Sequence, residues 1–148
     1  KTNSMFSKAC EYAIKSVIFI AQEALAGRKT NVKQISEATD APEAFVAKIL
    51  QPLSKKGILI SNKGKQGGFT VDLDKIEHIK IIEIILATDG EEIFKRCAFG
   101  LEKCSSEKPC PFHFTYKPIR EGLKNSLSEI SIYDMALKTE QGEAFLKI

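Results

Sequence analysis

Apolar positions Phe6, Cys10, Ala13, Ile14, Val17, Ala21 and Leu25 recur every three or four residues. This spacing predicts a helix over 6–26 that buries one face. Gly27 stands where such a helix stops. Residues 32–39 predict a short second helix, with Asn31 as its cap and Gln34 in the capping-box position. Thr39-Asp40-Ala41-Pro42 is a turn into a third helix, where Pro42 suits the first helical position and Glu43 the positive end of the dipole. Phe45, Val46, Ile49, Leu50 and Leu53 give this helix an apolar face. Pro52 lacks a backbone donor, so the helix is expected to kink or end near its last turn, and Gly57 closes it.

The period then changes to two. Ile58–Asn62 and Phe69–Leu73 predict the strands of a hairpin, joined by the tip Lys63-Gly64-Lys65-Gln66-Gly67-Gly68. Asp74 is placed to cap the next helix. Ile79, Ile82, Ile85 and Leu86 mark this fourth helix, which ends at Gly90. Residues 91–111 lose periodicity and read as a loop. Beyond them Tyr116, Ile119, Leu123, Leu127 and Ile130 form the stripe of a longer helix, and Ser131-Ile132-Tyr133-Asp134 signals the capping box of a short last one.

Three helices followed by a glycine-tipped hairpin are the order of a winged helix-turn-helix. In that arrangement the third helix lies in the major groove with its first turn toward base edges. Its exposed candidates are Glu43, Ala44, Lys48 and Gln51. Lys48 can donate to guanine acceptors, Glu43 can accept from cytosine, and Ala44 permits close approach. At the wing, Lys63 and Lys65 offer charge to phosphates or a narrow minor groove. Gln66 can reach a base edge, and Gly67 lets the backbone come near. A three-helix core whose hairpin binds protein is the competing reading.

Charge strengthens the nucleic-acid reading. Eight basic side chains face three acidic ones between Arg28 and Gly68, a local surplus of five in a chain whose net charge is only +3. The chain has 148 residues, 43% of them hydrophobic, which fits one domain or one small domain with an appended element and argues against a disordered chain, a multi-domain enzyme or a fibrous chain. No apolar run reaches the ~18 residues of a membrane span. The stretches 14–26 and 79–87 are broken by Lys15, Glu23, Lys80 and Glu83. No secretory pattern opens the chain, and a cytoplasmic location is expected. The residues Lys-Thr-Asn-Ser ahead of Met5 are expected to be foreign, with Met5 the native start.

Candidate chemistry gathers in one loop. Cys10 lies on the apolar face of the first helix and reads as a small core residue. Cys97, Cys104, Cys110 and His113 form a C-x6-C-x5-C-x2-H run. Three thiolates and an imidazole are a ligand set for iron or zinc. Pro111 predicts a helix starting just after Cys110, which would place that thiol at a helix N-terminus and His113 one turn on. A structural zinc site, bare redox thiols, or a disulfide with one cysteine left over remain open, though a cytosolic setting counts against the disulfide.

Taken together, Met5-Phe-Ser-Lys-Ala-Cys-Glu-Tyr-Ala13, Ile49-Leu50-x-x-Leu53-x-x-x-Gly57-Ile58-Leu59, Lys63-Gly64-x-x-Gly67-Gly68-Phe69, Asp89-Gly90 and the cysteine loop ending in Cys110-Pro-x-His113 resemble the Rrf2 family of bacterial winged-helix regulators, from about Met5 to Asp134. The family includes an iron–sulfur cluster regulator and a nitric-oxide-sensitive repressor. The resemblance implies a homodimer on a double-stranded DNA operator, joined through the long helix near 112–130. It implies an iron–sulfur cluster on Cys97, Cys104 and Cys110, with [2Fe–2S] favoured over [4Fe–4S] and absence from purified protein allowed for. The fourth ligand is then His113 or an acidic residue of the first helix, falling near Glu11 of the partner subunit. The first cysteine gap is six residues where the cluster regulator has five, Pro52 sits in the third helix, and the wing carries lysine where the cluster regulator has arginine.

The expected fold is mainly α with a small β-hairpin. It divides into a winged helix-turn-helix domain (5–90), a cysteine-containing loop (91–111), and a dimerisation helix with a C-terminal helix (112–148). The expected function is a DNA-binding transcription regulator, a repressor or activator, that senses iron–sulfur, redox or nitric-oxide status. A cluster-free thiol- or zinc-dependent regulator and a small iron–sulfur electron carrier are the alternatives. Enzymatic activity is not expected. The only histidines are His78 and His113, and no glycine fingerprint for a nucleotide precedes a helix.

Overall fold

The computed structural model describes residues 4–148, so the expectation for the leading residues falls, at 1–3, outside the described residues. The elements are α1 (Lys8–Leu25), α2 (Val32–Thr39), α3 (Glu43–Lys55), β1 (Ile60–Asn62), β2 (Gly68–Thr70), α4 (Ile81–Thr88), α5 (His113–Glu129) and α6 (Ile132–Glu140). This is the winged helix-turn-helix expected, mainly α with one hairpin. Among the described residues no helix is long and apolar enough to cross a membrane.

Local chemistry sets most boundaries. Ser7 caps α1 by accepting from the Cys10 amide at 3.0 Å. Its own amide donates to Asp89 Oδ2 at 2.8 Å and its hydroxyl to Asp89 Oδ1, which ties the start of α1 to the end of α4. Asn31 and Gln34 form the expected capping box at α2, both bonds 2.9 Å. Ser131 and Asp134 form the one at α6, both bonds 3.0 Å. The third helix runs through Pro52 to Lys55 and ends in the turn at Gly57.

α1 is the central member. α2, α3, α4 and α6 pack around it. The fully buried side chains include Val17 and Ile20 of α1, Ile35 of α2, Val46, Leu50 and Leu53 of α3, Ile84 and Ile85 of α4, and Ile132 and Ala136 of α6. The last helix is therefore part of the same core as α3 and the hairpin.

The hairpin pairs Ile60 with Thr70, Ser61 with Phe69 and Asn62 with Gly68. Its strands are shorter than the two-residue alternation predicts. Ile58 and Leu59 are buried and bond back to the Leu53 carbonyl, and Leu73 is exposed beyond buried Val71. Phe69 anchors the hairpin. Its amide donates to the Thr30 carbonyl at 2.7 Å and its carbonyl accepts from the Thr30 amide at 3.1 Å. Asp74 caps no helix. Its amide is held by Asp72 Oδ1, a turn follows, and α4 starts only at Ile81, where Glu83 accepts from the Lys80 amide at 2.7 Å.

α5 packs on α4 with Leu123, Leu127 and Ile130 half-buried. Ile119, expected on the same stripe, is 61% exposed, and Phe114 is 67% exposed. The far end of α5 is fixed by two backbone bonds of 2.9 Å, Ile81 amide to Ile130 carbonyl and Ile132 amide to Ile79 carbonyl.

Candidate functional site

The DNA-reading candidates on α3 all face solvent. Glu43, Ala44, Lys48 and Gln51 are exposed while Val46, Ile49, Leu50 and Leu53 fill the opposite face. At the wing Lys63, Lys65 and Gln66 are exposed and Gly67 half-exposed. The first turn of α3 and the wing share a cleft of about 520 Å3, lined among others by Lys33, Glu43, Asn62, Lys65 and Gly67. The structure thus brings Glu43, Lys65 and Gly67 together. Lys33 and Asn62 are cleft residues that sequence reasoning missed. Lys33 had a signal, as an exposed base on the first turn of α2 beside the capping box.

The cysteine loop contains a 3-10 turn (Glu92–Phe94) and then irregular backbone up to α5. Its donors stand as two pairs. Cys97 and Cys110 are buried side by side. The Leu101 amide does most to hold the Cys97 thiol below its ordinary pKa, and the amides of Phe99 and Gly100 and the Cys110 thiol add to it against the opposing effect of burial. Cys104 Sγ lies 3.2 Å from His113 Nδ1, and Ser106 Oγ lies 3.2 Å from His113 Nε2. Among the described residues no three His, Cys, Asp or Glu groups converge on a single metal position. The helix begins at His113 rather than just after Cys110, so Cys110 lies a turn ahead of it. Its carbonyl accepts from the His113 amide at 3.1 Å.

Arg120 is the residue that sequence reasoning missed here. It is only 8% exposed. Its Nη1 donates to the Lys95 carbonyl at 3.2 Å, the Arg96 carbonyl at 3.0 Å and Cys104 Sγ at 3.0 Å. A spacing of seven from His113 places both on one face of α5, which was the available signal.

The donor set suits an iron–sulfur cluster in kind. Thiolates with backbone amides directed at sulfur are the surroundings that tune such clusters, and Cys97 has them. Glu11, the alternative fourth ligand, is held below its ordinary carboxylate pKa, first by the Ser4 side chain and then by Lys8, whose Nζ lies 3.5 Å away. Cys10 stands apart. It is fully buried, and burial pushes its thiol up to about 11. Iodoacetamide applied to the native protein near neutral pH is expected to spare Cys10 and modify it only after denaturation, a pattern peptide mass mapping reads directly.

The Rrf2 family model, described as an iron-dependent transcriptional regulator, matches residues 6–138. A putative HTH-type transcriptional regulator of Aquifex aeolicus (strain VF5) is 28% identical over 136 residues, covering 88% of this chain and 90% of its own. The HTH-type transcriptional regulator IscR of Photorhabdus laumondii is 26% identical over 129 residues, covering 87% of this chain and 77% of its own. In structure the chain is similar to CymR, the global cysteine regulator of B. subtilis, with TM-score 0.72, 22% identity, and coverage of 90% of this chain and 97% of the other. With its winged helix, its cysteine loop and a family match spanning nearly all the described residues, the chain belongs to the Rrf2 family of transcriptional regulators.

Proposed function

We propose that this regulator works as a homodimer on a double-stranded DNA operator and holds an iron–sulfur cluster on its cysteine loop, [2Fe–2S] before [4Fe–4S]. The observation that carries the sensing part is the gathering of buried Cys97 and Cys110, with Cys104 3.2 Å from His113, on the segment that joins α4 to α5. In this reading residues 5–90 contact DNA, 91–111 sense and 112–148 include the dimer helix. Phe114 and Ile119 supply the exposed apolar surface a partner α5 would cover.

On DNA, Glu43, Ala44, Lys48 and Gln51 face base edges while Lys63 and Lys65 neutralise phosphates beside Gln66 and Gly67. Replacing Lys63 and Lys65 together by alanine should weaken binding across all sequences and lower the slope of log affinity against log salt by about 2. Fluorescence anisotropy with selected and random duplexes at several salt concentrations measures both. An unchanged slope would remove the wing from the phosphate contacts.

Cys97, Cys104 and Cys110 would hold the cluster, with His113 or Glu11 of the partner subunit as fourth ligand. When bound, the cluster supplies one-electron chemistry and reactivity toward nitric oxide. Protein purified without oxygen should contain iron and acid-labile sulfide and absorb visible light, and alanine at any of the three cysteines should abolish that absorbance. Zinc in place of iron, or colourless protein that still binds its operator, would favour the second reading, a cluster-free thiol- or zinc-dependent regulator. The direct contact of Cys104 Sγ with His113 Nδ1 favours that second reading. Absence of specific DNA binding in both forms would sink the regulator reading of this site.

A further inference from the structure

A cleft of about 500 Å3 opens between the 3-10 turn, the cysteine loop and α5, and Arg120 forms part of its wall. The guanidinium is more than nine-tenths buried, yet among the described residues no carboxylate forms an ion pair with it. Nη1 is satisfied by two carbonyls and a sulfur, but Nε is enclosed without any acceptor. A buried cation keeps its charge at a cost unless an anion compensates it, and an enclosed donor without an acceptor adds to that cost. The Tyr116 ring, 5.8 Å from the guanidinium carbon, helps hold it in place.

The rest of the lining extends the positive field. Lys95, Arg96 and Lys103 join Arg120 there against two carboxylates, Glu92 and Glu102. Lys95 Nζ is already paired with Glu91 at 2.5 Å. We propose that this cleft binds a small oxoanion, a carboxylate or a phosphate- or sulfate-like group, with Arg120 as its principal ligand. A guanidinium donates readily to the oxygens of such a group, and the cleft is of small-molecule size. The cleft shares Cys104 with the loop read above as a cluster site, but anion binding itself requires neither a metal nor DNA, so the two readings are tested apart.

The test uses the full chain, titrated in turn with inorganic phosphate, sulfate and acetate at constant ionic strength. Nitrogen-15 NMR follows the Arg120 Nε–H, and thermal unfolding follows stability. At least one probe should shift that resonance saturably and raise the melting temperature. Acetate alone assigns a carboxylate ligand, and phosphate or sulfate alone assigns a tetrahedral oxoanion. Arg120→Lys should bind about tenfold more weakly or worse. Lys103→Gln, at an exposed position, should keep the fold and weaken binding about twofold to threefold. No saturable shift with any of the three probes, or equal affinity in Arg120→Lys, overturns the proposal. If Arg120→Lys does not fold, the wild-type resonance and Lys103→Gln still decide it, and unchanged affinity in Lys103→Gln together with an unmoved Arg120 resonance counts against the site.

Discussion

Replacing Gly68 by alanine is expected to detach the wing from the helical core and to cost DNA affinity about tenfold or more. The reason is steric and local. A Cβ at Gly68 would sit 2.5 Å from the Thr30 carbonyl oxygen, a backbone atom that has no side-chain freedom to yield. The backbone at Gly68 also has φ +141°, where side chains are rarely tolerated. Relief requires the Thr30–Phe69 bridge to open, which loses bonds of 2.7 and 3.1 Å. Two such bonds at roughly 1 kcal/mol each, with some backbone strain, amount to about 2–4 kcal/mol of stability. The functional loss follows because Lys63 and Lys65 are then no longer held at a fixed distance from α3. Gly64→Ala is the control. Its φ is +98°, but nothing lies within 4 Å of the added carbon, so it should cost backbone strain alone and leave the bridge intact. Urea melts and operator titrations on both variants check this, and equal effects at the two glycines would refute the clash as the cause.

Leu50→Ala should be the larger blow to stability with the smaller direct effect on DNA contacts. Leu50 is fully buried where α3 meets the core, on the face opposite Lys48 and Gln51. Truncating a buried leucine costs about 2–5 kcal/mol, the transfer loss plus the cavity left behind. For a domain of this size that lowers the melting temperature by about 10 °C. A total stability of ~5–15 kcal/mol leaves the variant folded when cold, and operator affinity measured there should change less than in Gly68→Ala. A melting temperature within about 2 °C of the parent would show that the site collapses around the smaller side chain.

The sequence was most legible where a few adjacent residues decide the structure. Asn31 with Gln34 and Ser131 with Asp134 are reciprocal caps, and each needs only its own four residues to be recognised. The exposed face of α3 was legible for the same reason, since one apolar stripe fixes the opposite side. The strand ends were not. Phe69, Val71 and Leu73 alternate perfectly, but pairing stops at Thr70 because the amides of Ile58 and Leu59, which would extend the partner strand, bond back to the Leu53 carbonyl. Asp74 looked like a cap because its neighbourhood is polar, whereas the cap of α4 depends on Glu83, beyond that neighbourhood. Among the candidate site residues, the identities of Cys97, Cys104, Cys110 and His113 stood out by type and spacing. Their division into two pairs did not, because it is set by how an irregular loop folds back against α5. Arg120 was overlooked for a related reason. A charged residue on a long helix reads as solvated, and only the carbonyls of Lys95 and Arg96, more than twenty residues earlier, take it inside.

The anchoring of α5 has a mechanical consequence. Its seventeen residues, with Pro118 among them, span about 25 Å. One end is fastened to the start of α4 by the paired backbone bonds around Ile130. The other end begins at His113, against the cysteines. A tilt of roughly 10° about the fastened end therefore sweeps the His113 end through about 4 Å, as that span dictates. A shift carried along this helix from the sulfur end would therefore arrive at a pivot that belongs to the same core as α3.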